Sequence, residues 1–300
     1  MKALDASGDA LTDEELLALY SAPASVRVLS DDGRTASADR PATAGIAPEA
    51  PAGTSRPIGR PWTRMMFVSS ADGAATVEGV SGGLGTPADH RVFSLARRDA
   101  DVVLVGAGTV RAEGYDGELV DAEASTWRTA RGLDAHPEVA VVTEGLHLAA
   151  SDPFFVRAPR RPVVLTSAAA LGEHADRAAA LAEVADVLAA GETDVEPAVA
   201  LALLAARGHR VVHGEGGPRL FGSVAAAGCL DELQLSLSPV LAGGDGPRIL
   251  ASEEVLGLDL RLVHVLHEDS LLLLRYVAAG SAQALEDGSA LDPRPAGEHA

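Results

Sequence analysis

The sequence predicts an α/β fold built on a mixed, mostly parallel sheet with helices on both faces. Short apolar runs alternate with helical patterns through the middle of the chain, glycine clusters stand where such runs end and helices begin, and the last ordered stretch turns into long strands. Residues 11–20 pattern as a short amphipathic helix capped by Thr12 or Asp13, with Leu16, Leu17 and Tyr20 on one face. From Ser21 to Arg60 the chain is Ala, Pro, Gly and Ser with scattered charge and neither hydrophobic period, which reads as a loose lead-in. Strands are expected near 63–70, 101–106, 139–143, 162–166, 184–189 and 209–213, with helices near 87–98, 108–112, 173–182 and 195–207. A helix from about 217 to 227 leads into the strand DELQLSLSPVL, and RLVHVLHEDSLLLLRYV reads as an antiparallel hairpin turning at Glu268–Asp269. Residues 114–137, which include Trp127, read as a polar loop. The expected organisation is an N-terminal extension over 1–60, one domain over 61–278 and a disordered tail over 279–300.

Composition narrows the function classes. With 47% apolar residues in 300, the chain can bury a large core. A formal net charge of −19 repels phosphodiester backbones and anionic headgroups, so neither nucleic acid nor a membrane is an expected partner. Cys229 is the only cysteine, which excludes a disulfide within the chain and any multi-cysteine zinc site, and no metal is expected. The first twenty residues lack a basic stretch followed by an apolar one, and no later segment reaches the length of a membrane span, so a cytoplasmic protein is expected.

The glycine clusters carry the chemistry. In DVVLVGAGTVRAEG a strand gives way to Gly106, Ala107, Gly108 and Thr109, although Arg111 stands where a dinucleotide fingerprint needs its third glycine. In VVHGEGGPRLFGSV, Gly216 and Gly217 let backbone approach a ligand without a Cβ, and Pro218 suits the first position of a helix whose free amides favour phosphate. Glu215 beside such a cradle requires a cationic or hydroxyl partner. A third stretch, SSADGAATVEGVSGGLGTPADHRVFSLARRDA, runs from a strand end through a loop into a helix capped by Thr86, with Pro87 first and Asp89 in its first turn. Arg91, Arg97 and Arg98 lie off that helix's apolar face, where one of them could fix an anionic group. The simpler readings are a turn residue for Asp72, a satisfied buried histidine for His213, hairpin positions for His264 and His267, and a core position for Cys229.

In order and spacing, SSADG at 69–73, the serine-bearing loop at 81–86, DVVLVGAGTVRAE at 101–113, GEGGP at 214–218 and the strand from Asp231 to Pro239 resemble the reductase domain of bacterial riboflavin biosynthesis. The resemblance is closer still to stand-alone actinobacterial-type pyrimidine reductase family proteins, and it covers about 62–277. It implies a dihydrofolate-reductase-like three-layer fold and NADPH-dependent reduction of 5-amino-6-(5-phosphoribosylamino)uracil. By the same resemblance Gly106, Gly108 and Thr109 lie along the cofactor, as do Gly216, Gly217, Pro218, Arg219, Leu220, Phe221, Gly222 and Ser223. Ser69, Gly83, Glu113 and Thr143 complete the cofactor side, with Ser69 near the nicotinamide and Thr143 near the adenosine phosphate. Ser81, Arg97 and Glu215 face the substrate, Arg97 clamping phosphate and Glu215 accepting from ribose hydroxyls or amino groups near the reacting carbon. The two are expected to reach the substrate from opposite ends.

The chain departs from the riboflavin enzymes in carrying Gly83 for a tryptophan, Glu113 for an aspartate, and no arginine between Gly114 and Val120. Their fused zinc deaminase domain is not expected in this sequence, since its one cysteine cannot supply a His/Cys/Cys set. Dihydrofolate reduction, for which Asp89 is available, and a non-catalytic NADP-binding regulatory role are the alternatives, and relatives of this kind suggest a homodimer.

Overall fold

The computed structural model describes residues 2–3, 11–22 and 60–282. The lead-in and the tail expected from the sequence lie mostly outside these residues. Ten strands form one sheet: β1 (Lys2–Ala3), β2 (Trp62–Ser70), β3 (Val102–Gly106), β4 (Glu138–Val142), β5 (Val163–Thr166), β6 (Asp186–Ala189), β7 (Val211–Gly214), β8 (Glu232–Ser238), β9 (Leu260–Glu268) and β10 (Leu271–Ala278). Their order is β1-β9-β10-β8-β2-β7-β3-β4-β5-β6. From β8 to β6 every neighbouring pair is parallel, and β10, β9 and β1 add an antiparallel margin.

Helices cover both faces because the parallel strands are apolar on both sides. On one face α8 (Pro197–Ala206) and α9 (Pro218–Ala226) pack Leu201, Leu204, Phe221 and Val224 against Met65, Leu104, Ala140 and Val212. On the other, α1 (Asp13–Tyr20) and α2 (Pro87–Asp99) bury Leu16, Leu17, Val92 and Leu95 with Met66, Leu266 and Leu273. Further along that face, α3 (Ala107–Glu113), α5 (Pro153–Val156) and α7 (Ala175–Ala182) cover Val105, Val139, Val141 and Val164. Alternate residues of each strand thus serve opposite layers, as the pleat requires. The α/β class, the mixed and mostly parallel sheet and the C-terminal hairpin are as the sequence indicates.

Several local expectations change. The helix expected at 173–182 is two, α6 (Ala168–Glu173) and α7, because Ser167 caps an earlier start and His174 leaves helical geometry between them. The polar loop contains α4 (Ala122–Thr129), capped by Asp121, whose carboxylate accepts from the Ala124 amide at 2.8 Å. Strand β8 runs parallel to β2 and antiparallel to β10. The hairpin turns on Asp269 and Ser270, both with positive φ (46° and 70°), which matches the twist of tight hairpins.

At the far end of the strands from the glycine turns, the buried Glu138 carboxylate receives Arg207 at 2.7 and 2.9 Å and contacts His209 Nε2 at 2.6 Å. Burial works to raise the Glu138 pKa, but the His209 and Arg207 contacts prevail and hold it at about 2, below its ordinary 4.5. A lowered folded pKa stabilises the fold above the unfolded value and loses that contribution as pH falls toward 2. Glu138→Gln is expected to remove about 2 kcal/mol of stability at neutral pH, and to flatten its decline between pH 5 and pH 2 in denaturant titrations. An unchanged slope would show the cluster to be inert.

Candidate active site

The C-terminal ends of β2, β7, β3 and β4 open into a cavity of about 1070 Å³, closed on one side by α2 and on the other by the two glycine turns. This is where parallel sheets bind ligands, since loops diverge from the strand ends and helices begin there.

At its centre are three side chains brought from distant segments. Glu215 follows the last residue of β7, and its amide donates to Leu104 O at 3.0 Å, which fixes the backbone against β3. Arg97, in the last turn of α2, donates to Glu215 through Nε at 2.6 Å and Nη2 at 2.7 Å, a bidentate fork. The Tyr115 hydroxyl donates to Glu215 Oε2 at 2.7 Å, and Gly114, left-handed at φ +68°, turns the chain to bring it there. The Arg97 guanidinium lies over the Phe93 ring at 4.4 Å. The Glu215 side chain has no exposure, while that of Arg97 retains 18%. Burial opposes the charge on Arg97, yet the Glu215 carboxylate more than offsets it and the Arg97 pKa lies above its ordinary range. Burial, and then the same carboxylate, pushes the Tyr115 phenol well above its ordinary value. Arg97 and Glu215 therefore meet as one ion pair rather than standing at opposite ends of the site.

Behind them, His213 is fully buried and accepts from Arg64 Nε at Nδ1, 3.2 Å away. Because arginine only donates, the ring proton sits on Nε2, which lies 3.6 Å from Glu215 Oε1. Burial, with Arg64 and Arg97 nearby, lowers the His213 pKa well below its ordinary value, so the ring stays neutral.

The cofactor-side residues divide. Gly106, Gly108, Thr109, Glu113, Thr143, Gly216, Gly217, Pro218, Arg219, Leu220 and Ser223 all line the cavity. The Gly106 amide donates to Gly216 O at 2.9 Å and locks the two turns together, and the peptide between Gly216 and Gly217 is cis. A Cβ on Gly217 would come within 3.0 Å of Thr109 Oγ1, whereas one on Gly108 would meet nothing within 4 Å. No side chain caps α9, and Pro218 has no N–H, so Arg219 and Leu220 carry the free first-turn amides. This cradle of uncapped amides and open glycine fits a diphosphate. Ser81 also lines the cavity, and its amide and hydroxyl both donate to Glu113 Oε1 at 3.0 Å.

Ser69, Gly83, Phe221 and Gly222 stand outside the lining. The Ser69 hydroxyl donates to Ser70 O at 3.0 Å, and Gly83 sits against Val77. The Phe221 ring stacks on Phe67 at 5.0 Å and its amide donates to Gly217 O, while Gly222 lets Ala251 O approach α9 closer than any side chain would permit. Asp72 is the turn residue expected: its carboxylate accepts from Ser70 Oγ at 2.6 Å and from the amides of Ala242 and Gly243. Those bonds hold its pKa at about 2. Sequence reasoning missed Tyr115, for which the preceding glycine at the end of a helix was the available signal.

The model of the RibD C-terminal domain family matches residues 61–274, most of the described chain. The protein belongs to the RibD C-terminal domain family. It is 30% identical over 235 residues to the 2,5-diamino-6-ribosylamino-4(3H)-pyrimidinone 5′-phosphate reductase of Methanothermobacter thermautotrophicus, covering 74% of this chain and 100% of that protein. The protein of the same name from Archaeoglobus fulgidus is 28% identical over 169 residues, or 56% of this chain and 75% of its own. Among solved structures, a pyrimidine reductase-like protein from Corynebacterium diphtheriae superposes with a TM-score of 0.68 at 25% identity, over 74% of this chain and 93% of that one. Both of these archaeal relatives are named as reductases of a ribosylaminopyrimidinone 5′-phosphate. Among the described residues no helix is long and apolar enough to cross a membrane, and no group of three His, Cys, Asp or Glu could hold a metal ion.

Proposed function

We propose that this protein is an NADPH-dependent reductase of a 6-ribosylaminopyrimidine 5′-phosphate. The observation that carries the proposal is the Arg97–Glu215–Tyr115 cluster, which opens into the same cavity as the paired glycine turns. NADPH supplies the hydride for the sugar carbon C1′ when bound. The protein's own work is positioning, acceptance of hydrogen bonds and exclusion of water. The amides of Arg219 and Leu220, with the Gly106–Thr109 turn, receive the diphosphate, and Thr143 at the end of β4 stands on the adenosine side. Glu215, with no side-chain exposure, holds Arg97 and Tyr115 in place at the cavity wall, and the Arg97 guanidinium offers its remaining N–H groups to the ribose oxygens and the phosphate.

Titration calorimetry is expected to show NADPH bound at least tenfold more tightly than NADH. Addition of the ribosylaminopyrimidine phosphate should then consume the reduced-nicotinamide absorbance. Equal affinity for both cofactors would remove the adenosine-phosphate assignment, and binding of neither would overturn the reading. A homodimer is part of the same proposal, checked by sedimentation equilibrium.

A further inference from the structure

Two pyrimidines fit the proposed activity and differ only at ring carbon 2. The relatives are named for a 2-amino pyrimidinone, whereas the bacterial intermediate considered from the sequence is a uracil with a 2-carbonyl. The cavity holds a group able to distinguish them. Helix α2 presents Asp89, Phe93 and Arg97 to the cavity, spaced by four residues and so along one helical face. Arg97 belongs to the sugar end through its pairing with Glu215. Asp89 lies two turns away, about 12 Å along the axis, which leaves room for a pyrimidine ring between them.

An aspartate in the first turn of a helix ordinarily faces water, where it complements the helix dipole. Asp89 instead is only 7% exposed. Its Oδ1 accepts from the Ser236 hydroxyl of β8, while Oδ2 has no hydrogen-bond partner among the described residues and stands beside Gly85 on the cavity wall. Burial raises its pKa, and the Ser236 hydroxyl bond and the neighbouring His90 only partly offset this. A largely desolvated carboxylate with one satisfied oxygen is a receptor for paired donors. The 2-amino pyrimidinone offers two side by side, the ring N3–H and the amino group. The uracil offers N3–H beside a carbonyl oxygen, which a carboxylate repels.

We infer that Asp89 reads the 2-position of the substrate ring, and that the protein reduces the 2-amino pyrimidinone in preference to the 2-oxo pyrimidine. The inference rests on the reductase reading and narrows its substrate. It places this enzyme before any hydrolytic step that replaces the 2-amino group by oxygen.

The test is kcat/KM for both ribosylaminopyrimidine phosphates with NADPH, for the wild type and for Asp89→Asn. The wild type is expected to favour the 2-amino substrate by about 100-fold or more, because a site built around hydrogen-bond donors rejects an analogue that lacks one. Asn carries an amide that can donate to a carbonyl, so Asp89→Asn should shrink that ratio at least tenfold while circular dichroism shows the fold retained. A purely structural Asp89 would change stability and leave the ratio alone. A wild-type ratio near one, or an unchanged ratio in Asp89→Asn, would overturn the inference while leaving the reductase standing. Reduction of neither substrate would instead overturn the reductase reading, and this inference with it.

Discussion

Glu215→Gln is expected to lower kcat/KM for the ribosylaminopyrimidine substrate by roughly 30-fold to several thousand-fold, the equivalent of about 2–5 kcal/mol, with the loss mainly in kcat. Arg97→Ala is expected to cost a similar amount. The sequence alone suggests that the arginine variant acts through KM, but the geometry does not keep the two residues apart. With Arg97 removed, a carboxylate of zero side-chain exposure loses both arms of its fork and retains only Tyr115. Its orientation and the fold both suffer, because an unpaired buried charge costs about 3–5 kcal/mol. The two substitutions should therefore be strongly non-additive. Arg97→Ala in a Glu215→Gln background should cost at least about 1.5 kcal/mol less than in the wild type, both in kcat/KM and in denaturant melts. Costs that add within about 0.5 kcal/mol would mean that the pair does not act as a unit. NADPH affinity should change little in either variant, since the contacts proposed for the cofactor are loop amides rather than this pair.

The largest stability effect is expected at Arg64. Its guanidinium is wholly buried and ties three elements together: Nε donates to His213 on β7, Nη1 to Tyr20 O at the end of α1 and to Asp99 on α2, and Nη2 to Ala96 O. Arg64→Ala strands these acceptors and removes a charge partner of Asp99, at a cost of about 3–5 kcal/mol. For a domain of this size that lowers Tm by roughly 10 °C, measurable by calorimetry. Activity should fall too, because the His213 ring behind Glu215 loses the contact that fixes its tautomer. A Tm within about 2 °C of the wild type would show that water replaces the guanidinium freely.

How far the fold was legible follows from how local its signals are. Thr86, Pro87 and Asp89 announce the start of α2 within four residues, and the cap, the proline and the acid all appear there as read. The apolar runs of β3, β4 and β5 are short, and they are buried on both faces. Helix α4 was hidden because its buried side chains are Ala124 and Arg128, so no aliphatic period marks it. Strand β1 is two residues long and takes its register from His267 and Leu266, at the other end of the chain. The site was legible as a set of residues and illegible as an arrangement. Arg97 and Glu215 are 118 positions apart, and no local pattern says that they meet, or that Tyr115 joins them from the segment where the family resemblance leads one to expect an arginine. The family resemblance assigns the whole run from Gly216 to Ser223 to the cofactor, and so counts Phe221 and Gly222 with Arg219 although those two sit against the core and a crossing segment.

Strand β7 lies between β2 and β3, although about 140 residues separate it in sequence from the end of β2. During synthesis the inner edges of β2 and β3 must wait for it, on the order of ten seconds at ribosomal speeds of about 5–20 residues per second. Closing such a distant pairing is slow, and the waiting edges are apolar and open to other chains. Production of this protein should therefore depend on chaperone supply and on translation rate more than its final stability suggests. A chain interrupted before Val211 would leave the gap between β2 and β3 open and would lack Glu215 and the second glycine turn.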